Sequence, residues 1–197
     1  MIAGVLLAAG ASTRLGRPKQ LLDWRGIPLV RHVAQQALGS RLDTLYVVVG
    51  AHAEKIAAAL ENLPVVLIRN EHYAEGQSTS LRAGIAALPP QTQLAIMLLV
   101  DQPFVTSTLI NRLIDAADAC DAQIIAPQIA GRRANPVLFK APLFPALLEV
   151  QGDQGARQVI AAYRQQTHLI PVEDPALGED IDTLEDYERL RRQTSEL

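Results

Sequence analysis

A short loop near the N-terminus carries residue types that bind phosphate groups. Gly10 and Ser12 follow an apolar run, and two cations, Arg14 and Lys19, come next. Small residues let backbone N–H groups approach an anion closely, and the two cations supply the positive charge that a polyphosphate requires. The spacing excludes a Walker A loop, because Leu15 stands where that motif needs glycine. The pattern predicts a nucleotide-phosphate loop; the alternative is an ordinary turn with two solvated cations.

Acidic residues elsewhere could hold a metal ion beside that phosphate. Asp101 directly follows the apolar run 94–100. Mg²⁺ takes one or two carboxylates together with phosphate oxygens and water, so Asp101 is expected to bind metal rather than cap a helix. Asp180 and Asp182 are candidates for a second ligand. Their position before a helix is also explained by the favourable interaction of acidic residues with a helix N-terminus.

A polar segment in the first half of the chain could contact the nucleotide. Gly76, Ser78 and Ser80 open a predicted helix. Hydroxyls at this position cap helices, and free N–H groups there can also bind a nucleotide; the two roles are compatible. Asn70, just before this segment, is a weaker candidate for reading a base edge.

Strands and helices alternate along the chain, and most of the strands are continuously apolar. This pattern predicts an α/β fold with an open, doubly wound, mostly parallel sheet and helices on both faces. Ligands of such sheets bind beyond the carboxyl ends of the strands. The loop at 8–19 and Asp101 both follow predicted strands, at 2–8 and 94–100. The sequence therefore predicts one shared site.

The alternation changes after Pro127, and residues 129–165 are predicted to form a substrate-facing lobe within a single domain, 1–197. Residues 135–140 are expected to form an isolated strand. Arg132 and Arg133 are placed in a polar turn, where they are either solvated or bind an anionic second substrate.

Composition excludes several other classes. The net charge of −3 is too small to indicate binding to nucleic acid or to an acidic membrane surface. One cysteine allows no internal disulfide or zinc cluster, which is typical of a reducing compartment. No apolar run approaches the roughly 20 residues of a membrane span, and no signal segment is recognised. A cytoplasmic protein is predicted.

The opening string, LAAGASTRLGRPK, closely resembles the nucleotidyltransferase signature L-A-A-G-x-S-x-R-[LM]-G-x-x-K. Further strings make the chain similar to the molybdenum cofactor cytidylyltransferases, within the molybdopterin nucleotidyltransferases. These strings are EGQSTSLRAG at 75–84, VDQPFV at 100–105, RRANPVLF at 132–139, GDQGAR at 152–157 and DIDTLEDY at 180–187.

The resemblance implies Mg²⁺-dependent transfer of CMP from CTP to the phosphate of molybdenum-bearing molybdopterin. The product would serve enzymes of the xanthine-dehydrogenase type. Related guanylyltransferases tend to read L-A-G-G in the opening string, so Ala9 favours CTP over GTP. Two alternatives remain open: transfer to another phosphate, such as that of a sugar or polyol, or a nucleotide-binding cofactor chaperone without catalysis.

The resemblance also assigns roles to residues of this sequence. Catalysis is expected from Arg14, Lys19 and Asp101, and metal binding from Asp101 and Asp182, with Asp180 in reserve. The second substrate is expected to contact Arg132, Arg133 and Asn135. Nucleotide binding is expected from Leu7, Ala8, Ala9, Gly10, Ser12, Arg14, Lys19, Asn70, Gly76, Ser78 and Ser80.

Overall fold

A computed structural model describes residues 1–12 and 15–193. The strands in these ranges are β1 (Ile2–Ala8), β2 (Asp23–Trp24), β3 (Ile27–Pro28), β4 (Thr44–Val49), β5 (Val65–Arg69), β6 (Leu94–Leu99), β7 (Ile124–Ile129), β8 (Arg132–Arg133), β9 (Val137–Lys140) and β10 (Thr167–Val172). The helices are α1 (Leu29–Leu38), α2 (Ala53–Ala59), α3 (Gln77–Ala86), α4 (Ser107–Ala119), α5 (Phe144–Leu148), α6 (Arg157–Ala162) and α7 (Leu184–Gln193).

The main sheet has the strand order β10-β7-β9-β6-β1-β4-β5, with β8 paired to β7. β1 lies parallel to both β4 and β6. The chain leaves β1 towards β4 on one side and later returns to β6 on the other. This is a topological switch point, where open α/β sheets bind ligands. The predicted α/β fold with a mostly parallel sheet is confirmed.

Successive side chains of β1 pack against helices on opposite faces of the sheet. Leu6 belongs to the core under α1, α2, α4 and α7, whereas Val5 belongs to the core under α3, α5 and α6. Both side chains are fully buried. This explains why β1 is apolar throughout rather than alternating, because a strand covered on both faces buries every side chain.

The segment after Pro127 differs from the expectation in two respects. β9 is not isolated: it lies between β6 and β7 and is antiparallel to both. Arg132 and Arg133 form β8 rather than a turn, because the reversal is completed at Ala130 and Gly131, which both have positive φ. The segment at 129–165 thus contributes a central strand to the sheet. That its remainder faces the second substrate stays a prediction.

Candidate active site

The loop after β1 is organised by a glutamine that the sequence analysis did not select. The side chain of Gln20 is buried, and its amide donates to the carbonyl oxygens of Ala8 and Gly10, at 3.0 and 2.7 Å. The Ser12 hydroxyl accepts a hydrogen bond from the backbone N–H of Lys19 at 3.0 Å. These contacts hold Ser12, Lys19 and Gln20 close to the end of β1. Thr13 and Arg14 lie outside the described residues, so the roles expected of Arg14 stay predictions.

Lys19 joins two aspartates that are far apart in the sequence. Its ammonium nitrogen lies 2.9 Å from Oδ2 of Asp101, which follows β6, and 3.1 Å from Oδ1 of Asp182, which precedes α7. The two carboxylates therefore face one cation at the carboxyl ends of β1 and β6. The structure brings together the three residues that the sequence analysis had placed at one metal-bound triphosphate.

The backbone before α7 is fixed against the end of β6, and this positions Asp182. The N–H of Ile181 donates to the carbonyl oxygen of Asp101 at 2.9 Å, and the Ile181 side chain is fully buried. Thr183 and Asp186 form a reciprocal cap: the N–H of Asp186 donates to the Thr183 hydroxyl, and the N–H of Thr183 donates to the Asp186 carboxylate. Thr183 therefore caps α7.

At this site one cation, Lys19, faces the two carboxylates of Asp101 and Asp182. Burial alone would lower the pKa of the Lys19 ammonium, but the charges and hydrogen bonds of Asp101 and Asp182 outweigh it and raise that pKa above 10.5. Lys19 is therefore a fixed cation at neutral pH. The other carboxylate oxygen of Asp101, Oδ1, is buried and has no hydrogen-bond partner in the described structure. Such an oxygen fits a ligand for a hard cation.

Asp182 and Asp180 have different surroundings. Asp182 is half-exposed beside Lys19, whereas Oδ1 of Asp180 accepts a hydrogen bond of 2.6 Å from the buried amide of Gln102. The described residues contain no group of three or more acidic, histidine or cysteine side chains arranged to hold a metal ion. Asp101 and Asp182 are nevertheless a suitable donor set for Mg²⁺, which completes its coordination with phosphate oxygens and water.

Asp180→Asn is expected to increase the free energy of unfolding of the metal-free protein at pH 7. Burial is the main cause that raises the pKa of the Asp180 carboxyl above 3.8, against the hydrogen bond from Gln102 and with help from Asp101 and Asp182. A carboxyl of this kind destabilises the folded state above its folded pKa and carries no penalty below its unfolded value of about 4. The gain should therefore shrink as the pH falls towards about 4.

Urea unfolding in the presence of EDTA, from pH 7 to pH 4, measures this gain. Asp121→Asn, at an exposed position, is the matched control and should show no such pH-dependent gain. A variant at 180 that is less stable than the parent protein at pH 7, or equally stabilised at both ends of the range, contradicts the prediction.

The acidic pair and the loop open into a cavity of about 500 Å³. The predicted site residues that line it are Leu7, Ala9, Gly10, Ser12, Lys19, Gly76, Ser80, Asp101 and Asp182. Tyr73, Gln77 and Asp153 also line it and were not predicted. A larger hollow of about 830 Å³ lies between α7 and residues 17–23, but none of the described residues predicted for the site lines it.

Three predicted nucleotide contacts lie behind the cavity wall. Ala8 is buried, and its carbonyl oxygen accepts a hydrogen bond from Gln20. The Asn70 amide donates to the hydroxyls of Thr79 and Ser80, at 2.9 Å each. Ser78 is buried, and its hydroxyl has no partner among the described residues. Direct contact of these three residues with a nucleotide stays a prediction; in this structure Asn70 positions the start of α3.

The first turn of α3 is built against the turn at 152–154. The α3 N-cap is Gly76, with φ of 116°, and this residue has no side chain that could cap the helix. A Cβ on Gly76 would lie 2.6 Å from the Asp153 carboxylate and 2.8 Å from the Gly152 carbonyl oxygen. The Asp153 carboxylate accepts a hydrogen bond from the N–H of Gln77 at 3.3 Å. The N-terminus of α3 thus lies at the cavity wall, where the N–H of Gln77 already donates a hydrogen bond to the Asp153 carboxylate.

The residues expected at the second substrate are separated. Arg133 and Asn135 line a smaller cavity of about 140 Å³, next to the larger one, whereas Arg132 is exposed on β8 and does not line it. The contact of these residues with a second substrate stays a prediction. None of the helices in the described part of the chain is long and apolar enough to cross a membrane.

Comparison with known proteins identifies the family. The sequence matches the family described as "MobA-like NTP transferase domain" over residues 4–168. It is 35% identical to a nicotine blue oxidoreductase of Paenarthrobacter nicotinovorans over 96% of each chain. It is 30% identical to a probable molybdenum cofactor guanylyltransferase of Natronomonas pharaonis over 98% of each chain.

Solved structures give the same result. Rv0371c from Mycobacterium tuberculosis H37Rv superimposes with a TM-score of 0.87 at 30% identity, covering 97% of both chains. A structure of that protein in complex with manganese has a TM-score of 0.83 at 29% identity, covering 97% of this chain and 98% of the other. The fold, the opening string and these matches agree: the chain belongs to the MobA-like NTP transferase family and is a nucleotidyltransferase, as the sequence analysis predicted.

Proposed function

We propose that the protein transfers CMP from CTP to the phosphate of molybdenum-bearing molybdopterin, with release of pyrophosphate. One observation carries the proposal: Lys19, Asp101 and Asp182 meet at the switch point of the sheet, beside a cavity floored by the small residues after β1. In this reaction an oxygen of the acceptor phosphate bonds to the α-phosphorus of CTP. The bond from that phosphorus to the bridging oxygen breaks, and pyrophosphate leaves with the electron pair.

The chain needs only to position the two substrates and balance their charge. Lys19 and the N–H groups of the loop bind the triphosphate, where negative charge builds on the leaving pyrophosphate. Asp101 and Asp182 would hold Mg²⁺, which would neutralise phosphate charge. The manganese complex of a 29% identical relative supports a divalent cation in the family. The single cysteine, Cys120, is free, in keeping with a reducing cytoplasm.

The base preference is the finer part of the proposal. Several relatives are named molybdenum cofactor guanylyltransferases, so GTP is the competing donor. Ala9 favours CTP in this chain. It lines the cavity wall, and its methyl group distinguishes the opening string of this chain from the L-A-G-G string of the guanylyltransferases.

Ala9→Gly is expected to raise the ratio of kcat/KM for GTP to that for CTP by about tenfold, the discrimination typical of one methyl group in a close-fitting pocket. Initial rates of pyrophosphate release with each nucleotide measure the ratio. Ala11→Gly, which also enlarges the cavity wall but lies outside the string that distinguishes the two donor classes, is the matched control. An unchanged ratio in the Ala9 variant, or an equal change in both variants, removes Ala9 as the determinant of base preference.

Product analysis tests the reaction itself. The protein is incubated with molybdenum cofactor, Mg²⁺ and CTP, GTP or UTP in turn, and the products are identified by mass. Molybdopterin cytosine dinucleotide together with pyrophosphate is the expected result. Nucleotide binding without pyrophosphate release would instead indicate a cofactor chaperone, and turnover with a sugar or polyol phosphate would indicate another acceptor.

Because one relative is named a nicotine blue oxidoreductase, redox activity is tested as well. A dye-reduction assay with added electron donor is run on the same preparation. Electron transfer that survives Asp101→Asn, in a protein that releases no pyrophosphate, contradicts the proposed function.

A further inference from the structure

The smaller cavity, of about 140 Å³, lies where β6 and β9 meet α3 and the start of α6. Leu81, Met97 and Phe139 form part of an apolar wall. Two arginines, Arg133 and Arg157, stand at its edge. At roughly 30 Å³ for each water molecule in the liquid, the volume accepts one phosphate group and a few further atoms. It is a subsite for the charged end of a ligand rather than for a whole cofactor.

The two arginines have no acidic partner. Neither forms an ion pair within the described ranges, and the one side-chain hydrogen bond of Arg133 is a long contact of 3.4 Å to the carbonyl oxygen of Ala134. Burial lowers the pKa of the Arg133 guanidinium, and the positive charge of Arg157 lowers it further. Arginine stays charged at neutral pH even so. Asp180 is the one acidic residue of the described structure that lines the cavity, so the two arginines leave the cavity with a net positive charge that favours an anion.

Both arginines are held by secondary structure rather than by loose loops. Arg133 pairs with Gln128 in the β7–β8 ladder. Arg157 is the first residue of α6, and the turn before it is fixed against α3: a Cβ on Gly155 would lie 2.8 Å from the side-chain oxygen of Gln77. Two guanidinium groups at one cavity can match the oxygens of a phosphate group with several hydrogen bonds.

The arginine cavity adjoins the proposed nucleotide cavity. Leu7, Gln77 and Leu99 line both. Asp180 lines the arginine cavity and is two residues before Asp182, which lines the other. The Oδ1 atom of Asp180 accepts its hydrogen bond from Gln102. An anion beside the arginines would therefore lie next to the triphosphate.

We propose that Arg133 and Arg157 bind the phosphate monoester group of the acceptor substrate in the arginine cavity. This inference rests on the proposed function, because it gives the second substrate its place beside the nucleotide. It extends the sequence analysis by one residue, Arg157, and leaves out another, Arg132. That residue is exposed and outside the cavity, so it provides a matched control of the same charge, one position away.

Phenyl phosphate is a suitable probe, because it carries a phosphate monoester on a small apolar ring. Its binding is measured by calorimetry on the full chain saturated with Mg²⁺ and a non-hydrolysable CTP analogue, so that the nucleotide cavity is filled. Binding should persist in the parent protein and in Arg132→Gln, and weaken at least tenfold in Arg157→Gln and Arg133→Gln. Arg157 is exposed, so its variant is expected to fold and is decisive alone if Arg133→Gln does not fold.

Kinetics provide the second readout. The KM for the acceptor should rise at least tenfold in Arg157→Gln, while the dissociation constant for CTP stays unchanged. Parent-like phosphate binding in Arg157→Gln overturns the proposal. So does loss of phosphate binding when the CTP analogue is present, since the probe would then occupy the nucleotide cavity.

The failure of the proposed function has a different signature. In that case the parent protein releases no pyrophosphate with any nucleotide, while binding of phenyl phosphate is weakened only in the Arg133 and Arg157 variants. This result would support the anion site and refute its assignment to the acceptor substrate.

Discussion

Lys19→Ala is expected to lower the rate of CTP-dependent pyrophosphate release by about 10²–10³. That is the usual cost of removing one preorganised charge from a site where charge develops in the transition state. Lys19 lies between Asp101 and Asp182, at 2.9 and 3.1 Å from their oxygens, and the strand ends and the loop contacts hold it there. Asp101→Asn should have an effect of the same order, because Oδ1 of Asp101 is buried, has no hydrogen-bond partner among the described residues and is the proposed ligand of the metal ion.

Initial rates of pyrophosphate release measure both effects. Lys55→Ala, which removes an exposed lysine from α2, is the control and should retain full activity. Without Lys19 the two carboxylates face each other without their shared cation, so the variant is expected to gain more thermal stability from added Mg²⁺ than the parent protein does. That gain shows that the variant is folded. Near-normal rates in Lys19→Ala and Asp101→Asn together would refute the assignment of the site.

Gly84→Ala is expected to destabilise the fold more than a surface substitution does. A Cβ on Gly84 would lie 2.4 Å from Cγ1 of Val5 and 3.2 Å from Cγ2 of Val48, and both valines are fully buried. Overpacking of this kind costs about 3 kcal/mol at the upper end of its usual range. The better helix propensity of alanine returns about 1 kcal/mol. We expect a net loss of about 2 kcal/mol, or about 4–8 °C in Tm for a domain of this size.

Thermal unfolding of a compensating double variant checks the cause. Val5→Ala removes the methyl group that the new Cβ would meet, so the two substitutions together should cost less than the sum of their separate effects. Additive effects would show that Gly84 is needed for a reason other than the close approach of α3 to β1.

The position of the proposed catalytic groups could be predicted from the sequence because it follows from local rules. An apolar strand covered on both faces gives a continuous run of apolar residues, and the carboxyl ends of parallel strands meet at one edge of the sheet. Lys19 and Asp101 both follow such runs. Asp182 could be chosen over Asp180 only through family resemblance; the structure places it against Lys19, while Gln102 holds Asp180.

Other features depended on contacts between distant parts of the chain. β9 is four residues long, and nothing in its sequence indicates that it separates β6 from β7, because both pairings are antiparallel and non-local. Gln20 follows Lys19 directly, and its bonds to the carbonyl oxygens of Ala8 and Gly10 form only in the folded chain. The proposed role of Arg157 could not be predicted from the sequence, because it depends on the position of this residue beside Arg133 at one cavity.

The distance along the chain between the partners of Lys19 has a consequence for synthesis. Asp182 lies 163 residues after Lys19, and it comes into place only when the segment before α7 bonds to the end of β6. A nascent chain that has left the ribosome as far as β10 already contains the loop and the first carboxylate, but it lacks the second. Premature termination there would leave the proposed site with only one of its two expected metal ligands.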